Sequence, residues 1–201
     1  MKVEISIGEV IDKLSILELK MKKINDENKK IEIQKEINAL QECHKYKDYY
    51  LYYNLLMYVN EKIWDMTDVI KSITIEHTQF AYLSNQIFEF NQKRFRVKNW
   101  YNLITSSNIK EQKSYSLSNC MILINNINTF YNKIPDIIYL ALEYDVITII
   151  SNFNDKIINI FKIPTIMYST YDSIANTCNY ISLENFEIPD KNIIHILNLK
   201  Q

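Results

Sequence analysis

The sequence predicts an α+β protein. An amino-terminal α-helical bundle or set of long helical hairpins, residues 1–115, precedes a small Rossmann-like α/β half-domain with a parallel sheet, residues 116–201. Three observations predict this arrangement. Apolar residues recur at intervals of three and four up to about residue 115, and short β-branched runs alternate with helical segments beyond it. The chain also has only one glycine and three prolines, so its helices can be long.

Composition and charge narrow the class of protein. Hydrophobic residues make up 47% of the 201 residues and charged residues 23%, which excludes wholesale disorder. The net charge of −1 removes the electrostatic case for a nucleic-acid coat or a membrane-surface protein. No apolar run approaches the roughly 20 residues of a membrane span. Since the cysteines at 43, 120 and 178 are widely spaced and odd in number, we expect a reducing compartment, without a signal peptide, and a cytoplasmic location.

The helical half begins with a local signal. Ser6 and Glu9 form a capping box, in which each side chain can bond to the backbone amide of the other residue. An apolar face then continues to about residue 25. Further helices are predicted at residues 31–40, 49–70 and 78–104. The two longest of these each carry a heptad-like seam of apolar residues.

Arg94 interrupts the apolar seam of the predicted fourth helix between Phe90 and Val97. A buried guanidinium costs several kcal/mol unless charged partners and hydrogen bonds compensate it. Asn91 and Lys98 lie on the same side of this helix, three residues before and four after. We therefore expect an ionic cluster between helices, and the carboxylates expected to compensate Arg94 are Glu9, Glu18, Asp65 and Asp68, the last two beside Trp64.

This cluster has two interpretations. It can be an interhelical salt bridge that fixes the register of the bundle, as single buried polar groups do in coiled coils. It can also be a binding site for an anion or a phosphate-sugar, because the guanidinium fork matches phosphate geometry. The sequence leaves both open.

Two other chemistries are disfavoured. The basic run 93–98 is followed by Trp100 and Tyr101, but the cations do not form one stripe on a helix, so nucleic-acid binding is not expected. Cys43 and His44 are adjacent and the other histidines and cysteines lack ligand spacing, so no metal site and no cofactor are predicted.

The second half predicts parallel strands joined by right-handed crossovers. Ser151 and Asn152 follow the most β-branched of these strands, where parallel sheets bind ligands, although Ser151 or Asn154 could instead cap the next helix. No glycine-rich phosphate loop is present. Strands are predicted at residues 120–125, 145–151, 164–169 and 179–183, with helices at 134–144 and 154–162.

The helical half resembles a family of bacterial and viral domains of unknown function whose members accompany glycan and surface-polysaccharide enzymes. The resemblance is carried by SIGEVIDKLSILELK at 6–20, IWDMTD at 63–68, Asn91, Arg94 and Lys98 at their spacing, and EQKSY at 111–115. It implies site candidates among the polar residues of these motifs. They are Glu9, Asp12, Lys13, Glu18, Trp64, Asp65, Asp68, Asn91, Arg94, Lys98 and Lys113.

Residues 142–167 resemble the donor-side motif of heptosyltransferase-like and TPR-linked glycosyltransferases of the GT-B type. Ser151, Asn152 and Pro164 match that motif, and Lys156 stands at the position of its histidine. The resemblance implies a reduced relative of a sugar-nucleotide domain, with Ser151, Asn152 and Lys156 as site candidates. The sequence thus favours a glycan-assembly protein that binds a sugar nucleotide or another phosphorylated small molecule. The alternative is a non-catalytic helical adaptor that binds a protein partner or a second copy of itself.

Overall fold

The computed structural model describes residues 3–71, 76–112, 117–124, 126–151, 163–169 and 181–183, together with Phe186 and Pro189. The chain divides into two compact units, Met1–Glu111 and Gln112–Gln201. The predicted boundary after residue 115 falls in the stretch 113–116, which lies outside the described residues. The α+β class is confirmed: the first unit is helical, and the second holds a small parallel sheet.

The first unit opens with helix α1, Ile7–Lys23. The Ser6 hydroxyl accepts a hydrogen bond from the Glu9 amide at 3.2 Å, which confirms the predicted cap. The capping box also predicts that the Glu9 carboxylate accepts a hydrogen bond from the Ser6 amide. That carboxylate instead pairs with Lys98. The side chains of Asn102 and Ser107 accept from the amides of Gly8 and Ile7, so the first turn of α1 is tied to a distant part of the chain.

Helix α2, Glu27–Ala39, begins earlier than the predicted residue 31. Asp26 explains the difference, since its carboxylate accepts from the amides of Asn28 and Lys29 and caps the helix. A 3-10 segment, Gln41–Asp48, follows and was not predicted.

Two long helices complete the first unit: α3, Tyr50–Ile70, and α4, His77–Ile104. The core lies where the first half of α3 and the last third of α4 pack against α1, and Leu56, Val59 and Trp100 are fully buried there. The predicted continuation of the α4 seam to its amino end is wrong, because Phe80 is 46% exposed. A helix rises about 1.5 Å per residue, so the 28 residues of α4 extend well past the 17 of α1.

The second unit contains a four-stranded, all-parallel sheet in the order β3-β2-β1-β4. Helices α5, Ile127–Asn132, and α6, Ile134–Glu143, follow β1; α5 was not predicted. The predicted helix 154–162 lies outside the described residues. All four predicted strands have a counterpart: β1 Asn119–Leu123, β2 Val146–Ile150, β3 Ile166–Ser169 and β4 Ile181–Ser182.

No helix in the described ranges has the length and apolarity needed to cross a lipid bilayer.

Candidate functional site

Arg94 on α4 is held by Asp12 on α1. Its Nε lies 2.9 Å from both carboxylate oxygens of Asp12, and its Nη2 lies 2.5 Å from Oδ2. The Asp12 side chain is only 3% exposed, whereas that of Arg94 is 26% exposed. The carboxylate therefore fixes one edge of the guanidinium in a fork-to-fork geometry, while part of the Arg94 side chain remains accessible.

A second layer of hydrogen bonds fixes Asp12 in turn. Asn60 on α3 donates from Nδ2 to Asp12 Oδ1 at 2.9 Å and to Ser15 Oγ at 2.8 Å. The Ser15 hydroxyl donates to the Asp12 backbone carbonyl at 2.8 Å. All three helices α1, α3 and α4 thus contribute to one buried network. Asp12, Ser15 and Asn60 have no buried side-chain atom without a partner in the described part of the chain, so the network can hold Arg94 in one orientation.

Lys98 stands one turn beyond Arg94 and pairs with two carboxylates. Its Nζ contacts Glu9 and lies 2.8 Å from Oε2 of Glu111. The Lys98 side chain is 12% exposed and both carboxylates are more open to solvent. The cation is therefore compensated on two sides, and Glu111 joins the end of the first unit to α4.

Both cations stay charged in spite of burial. Burial lowers the pKa of Arg94, but the hydrogen bond and charge of Asp12 outweigh it, and the net pKa is raised. Burial likewise lowers the pKa of Lys98, and the hydrogen bonds to Glu111 and Glu9 reverse the effect. Arg94 therefore presents a charged guanidinium to the cavities that it lines, whereas the charge of Lys98 is compensated by Glu9 and Glu111.

The predicted partners of Arg94 need correction. Asp12, which was only a candidate by resemblance, is the residue that binds it. Glu18 instead pairs with Lys47 at 2.7 Å, and Asp65 pairs with Lys23 at 2.9 Å. In the part of the chain that the structure describes, the ion pair of Arg94 is therefore formed with Asp12 and not with Glu18 or Asp65.

Of the other predicted carboxylates, Glu9 contributes to the charge around Arg94 but forms its ion pair with Lys98. Asn91 donates to the backbone carbonyl of Ile87 at 2.8 Å, a bond within its own helix. Lys13 forms an exposed pair with Glu36 at 2.8 Å. The structure thus separates the expected single cluster into several ion pairs, with the Asp12–Arg94 pair the most buried.

Two cavities share Arg94 and Ile16 as lining residues. The first, here called the polar cavity, has a volume of about 320 Å³ and is also lined by Glu9, Asp12, Lys13, Lys20 and Glu36. The second, here called the tryptophan cavity, has a volume of about 190 Å³ and is also lined by Trp64, Thr67, Asp68 and Lys71. Among the described residues, Nη1 of Arg94 has no hydrogen-bond partner within the protein. Since Arg94 lines both cavities and its side chain is 26% exposed, the edge of the guanidinium that Asp12 leaves free is accessible to a ligand.

The tryptophan cavity brings together three sequence-predicted residues, Trp64, Asp68 and Arg94. Sequence reasoning missed Asn60 and Lys71. Asn60 is a polar residue on the buried face of α3, and that position was a signal that could have identified it. In the second unit Ser151 is buried at the end of β2, whereas Lys113, Asn152 and Lys156 lie outside the described residues.

The described segments bring no three histidine, cysteine, aspartate or glutamate side chains together in a way that could hold a metal ion.

Residues 1–133 match the model of DUF6165, described as a family of unknown function. The chain belongs to this family. The match to DUF6165 includes α1 to α4, with the whole Arg94 network, and continues through β1 and α5. No curated protein and no solved structure matches the chain.

Proposed function

We propose that this protein serves glycan or surface-polysaccharide assembly, as an accessory to glycosyltransferases or a divergent form of them. It does so by binding a sugar nucleotide or another phosphorylated small molecule at Arg94. The observation that carries the proposal is a guanidinium fixed by a buried carboxylate, with a free edge, between two cavities.

The chemistry of the site supports a phosphate. Arginine binds phosphate through paired N–H donors, and a guanidinium already oriented by Asp12 loses little freedom when it does so. Lys20 and Lys71 line the two cavities on either side of Arg94, and the charge of Lys20 also acts on Glu36 in the polar cavity. These cations can offset the charge of a diphosphate that Arg94 alone would leave unbalanced.

The link to glycans has two supports. The sequence resembles domains that accompany polysaccharide enzymes in its first half and a glycosyltransferase donor motif in its second. The strand order β3-β2-β1-β4 also matches the first four strands of a doubly wound nucleotide-binding sheet. The strand order favours a nucleotide, and the two resemblances favour one that carries a sugar.

Titration calorimetry against a panel of sugar nucleotides tests the proposal. We expect one or more to bind, and Arg94→Lys to weaken binding roughly ten- to hundredfold, because a charge-assisted hydrogen bond contributes about 1.5–3 kcal/mol. Arg94→Lys is the informative variant since it keeps a positive charge beside Asp12 while removing the fork.

Lys22→Met is the matched control, because Lys22 is an exposed cation on α1 that lines neither cavity. It should bind like the wild type. Binding that is equally strong in Arg94→Lys, or absent from the whole panel, contradicts the proposal.

A second candidate function, the helical adaptor, is favoured by one observation. Phe80, Tyr82 and Phe88 on the amino-terminal part of α4 are 46%, 64% and 62% exposed. Exposed aromatic side chains are typical of protein–protein interfaces. Analytical sedimentation of the wild type and of Phe88→Ser separates this candidate from the sugar-nucleotide proposal. The adaptor is supported if the wild type associates in a concentration-dependent way, Phe88→Ser does not, and no sugar nucleotide binds.

A further inference from the structure

We infer that the ligand is bipartite and lies across Arg94, with a flat aromatic end in the tryptophan cavity, its phosphates at the guanidinium and a polyhydroxylated end in the polar cavity. This inference rests on the proposed function and assigns each part of the ligand to a place. Its basis is that two cavities of different chemistry share the same arginine.

The sizes of the cavities favour a ligand that occupies both. Pockets for small molecules usually measure about 300–1,000 Å³. The tryptophan cavity, at about 190 Å³, is below that range, and the polar cavity, at about 320 Å³, is at its lower limit. Since both cavities are lined by Arg94 and Ile16, a ligand too large for the tryptophan cavity can extend past Arg94 into the polar cavity.

The tryptophan cavity suits a planar aromatic group such as a nucleobase. Ile16, Leu19 and Ile63 give it apolar walls, and Trp64 supplies an aromatic ring on which a base can stack. Asp68 has no ion-pair partner among the residues that the structure describes, so its carboxylate can accept a hydrogen bond from a base N–H. The ring, the apolar walls and the carboxylate acceptor together suit the flat face and the N–H edge of a base.

The polar cavity suits the opposite kind of group. Its lining includes the Lys13–Glu36 ion pair, with an Nζ–Oε2 distance of 2.8 Å, and Lys20. It has no aromatic lining residue. Ammonium and carboxylate groups exchange hydrogen bonds with sugar hydroxyls, so a pyranose fits here better than a base. A phosphate bridge between the two ends then lies against the free edge of Arg94.

The experiment separates the two ends by using half-ligands. The probes are a nucleoside 5′-monophosphate, a hexose 1-phosphate and the corresponding nucleoside diphosphate hexose, each titrated into the full chain. We expect Trp64→Leu to weaken the binding of the nucleoside monophosphate and of the intact molecule at least about fivefold, because stacking is lost. The affinity for the hexose 1-phosphate should not change. We expect Lys20→Met to weaken the binding of the hexose 1-phosphate more than that of the nucleoside monophosphate.

Tryptophan fluorescence gives an independent readout. The chain has two tryptophans, and Trp100 is fully buried. The nucleoside monophosphate should therefore quench emission from Trp64, and Trp64→Phe should abolish the quenching while retaining most of the binding, because phenylalanine still offers a ring. Lys22→Met serves again as the unaffected control.

The outcomes distinguish this inference from the proposal beneath it. Parallel effects of Trp64→Leu and Lys20→Met on both half-ligands, or quenching by the hexose 1-phosphate alone, overturn the bipartite arrangement even if the intact molecule binds through Arg94. Failure of all three probes to bind overturns the proposed function together with this inference.

Discussion

Arg94→Met is expected to lower the free energy of unfolding by about 3–5 kcal/mol, the usual result of removing one partner from a buried ion pair. The variant keeps the length of the side chain but removes the charge that compensates Asp12. Asp12 is only 3% exposed, so water cannot easily replace the guanidinium. Asn60 remains as its one side-chain donor, which is too little for a carboxylate in that environment. Urea unfolding followed by circular dichroism measures the change.

Removing Asp12, the other partner of the ion pair, should lower the free energy of unfolding by less than Arg94→Met does. In Asp12→Ala the guanidinium loses its carboxylate, but Arg94 is 26% exposed and can turn toward water. In the double variant Asp12→Leu/Arg94→Met neither charge remains, and an apolar pair of similar size is often as stable as the ion pair it replaces. We therefore expect the double variant to be more stable than Arg94→Met alone.

This double-mutant comparison also separates a structural from a ligand-binding role. A pair that only fixes the fold can be exchanged for apolar residues with no further consequence. A pair that presents a guanidinium to a ligand cannot, so the double variant should fold and fail to bind phosphate probes. Arg94→Met as stable as the wild type would contradict the burial argument, because it would mean that Asp12 is solvated in the native protein.

The sequence predicts the position of Arg94 but not its partner. The seam from Phe90 to Val97 places Arg94 on the inward side of its helix, since helical periodicity is a local property. The partner depends on how α1 and α4 are aligned along one another, and Asp12 is 82 residues away in the chain. That alignment is decided by packing at other contacts, which no periodicity in either helix encodes.

The same limit explains the other differences. The seam of α4 predicts a buried face along its whole length, but burial also requires a partner helix, and α1 is too short to reach Phe80. The parallel strands were predictable because β-branched runs such as that of β2 have few alternatives. The six residues of α5 and the eight of the 3-10 segment are too few to show a clear amphipathic period.

Gly8 is the contact that sets the alignment of α1 on α4. A Cβ at this position would lie 2.4 Å from the backbone carbonyl oxygen of Lys98 and 2.9 Å from Oδ1 of Asn102. The same amide oxygen accepts from the Gly8 amide at 2.7 Å, so the two helices meet backbone to backbone. One turn further along each helix, this close approach places Asp12 opposite Arg94. The only glycine of the chain is thus a packing requirement rather than a turn residue.

Gly8→Ala should therefore destabilise the protein, although alanine is the better helix former by about 1 kcal/mol. Overpacking against a backbone atom costs about 1–3 kcal/mol or more, since a carbonyl cannot move aside as a flexible side chain does. Lys22→Ala on the exposed face of the same helix is the control and should change stability by less than about 0.5 kcal/mol. Unfolding midpoints of the two variants compare the effects directly. A stabilised Gly8→Ala protein would show that α1 does not approach α4 so closely, and the alignment of Asp12 with Arg94 would then need another cause.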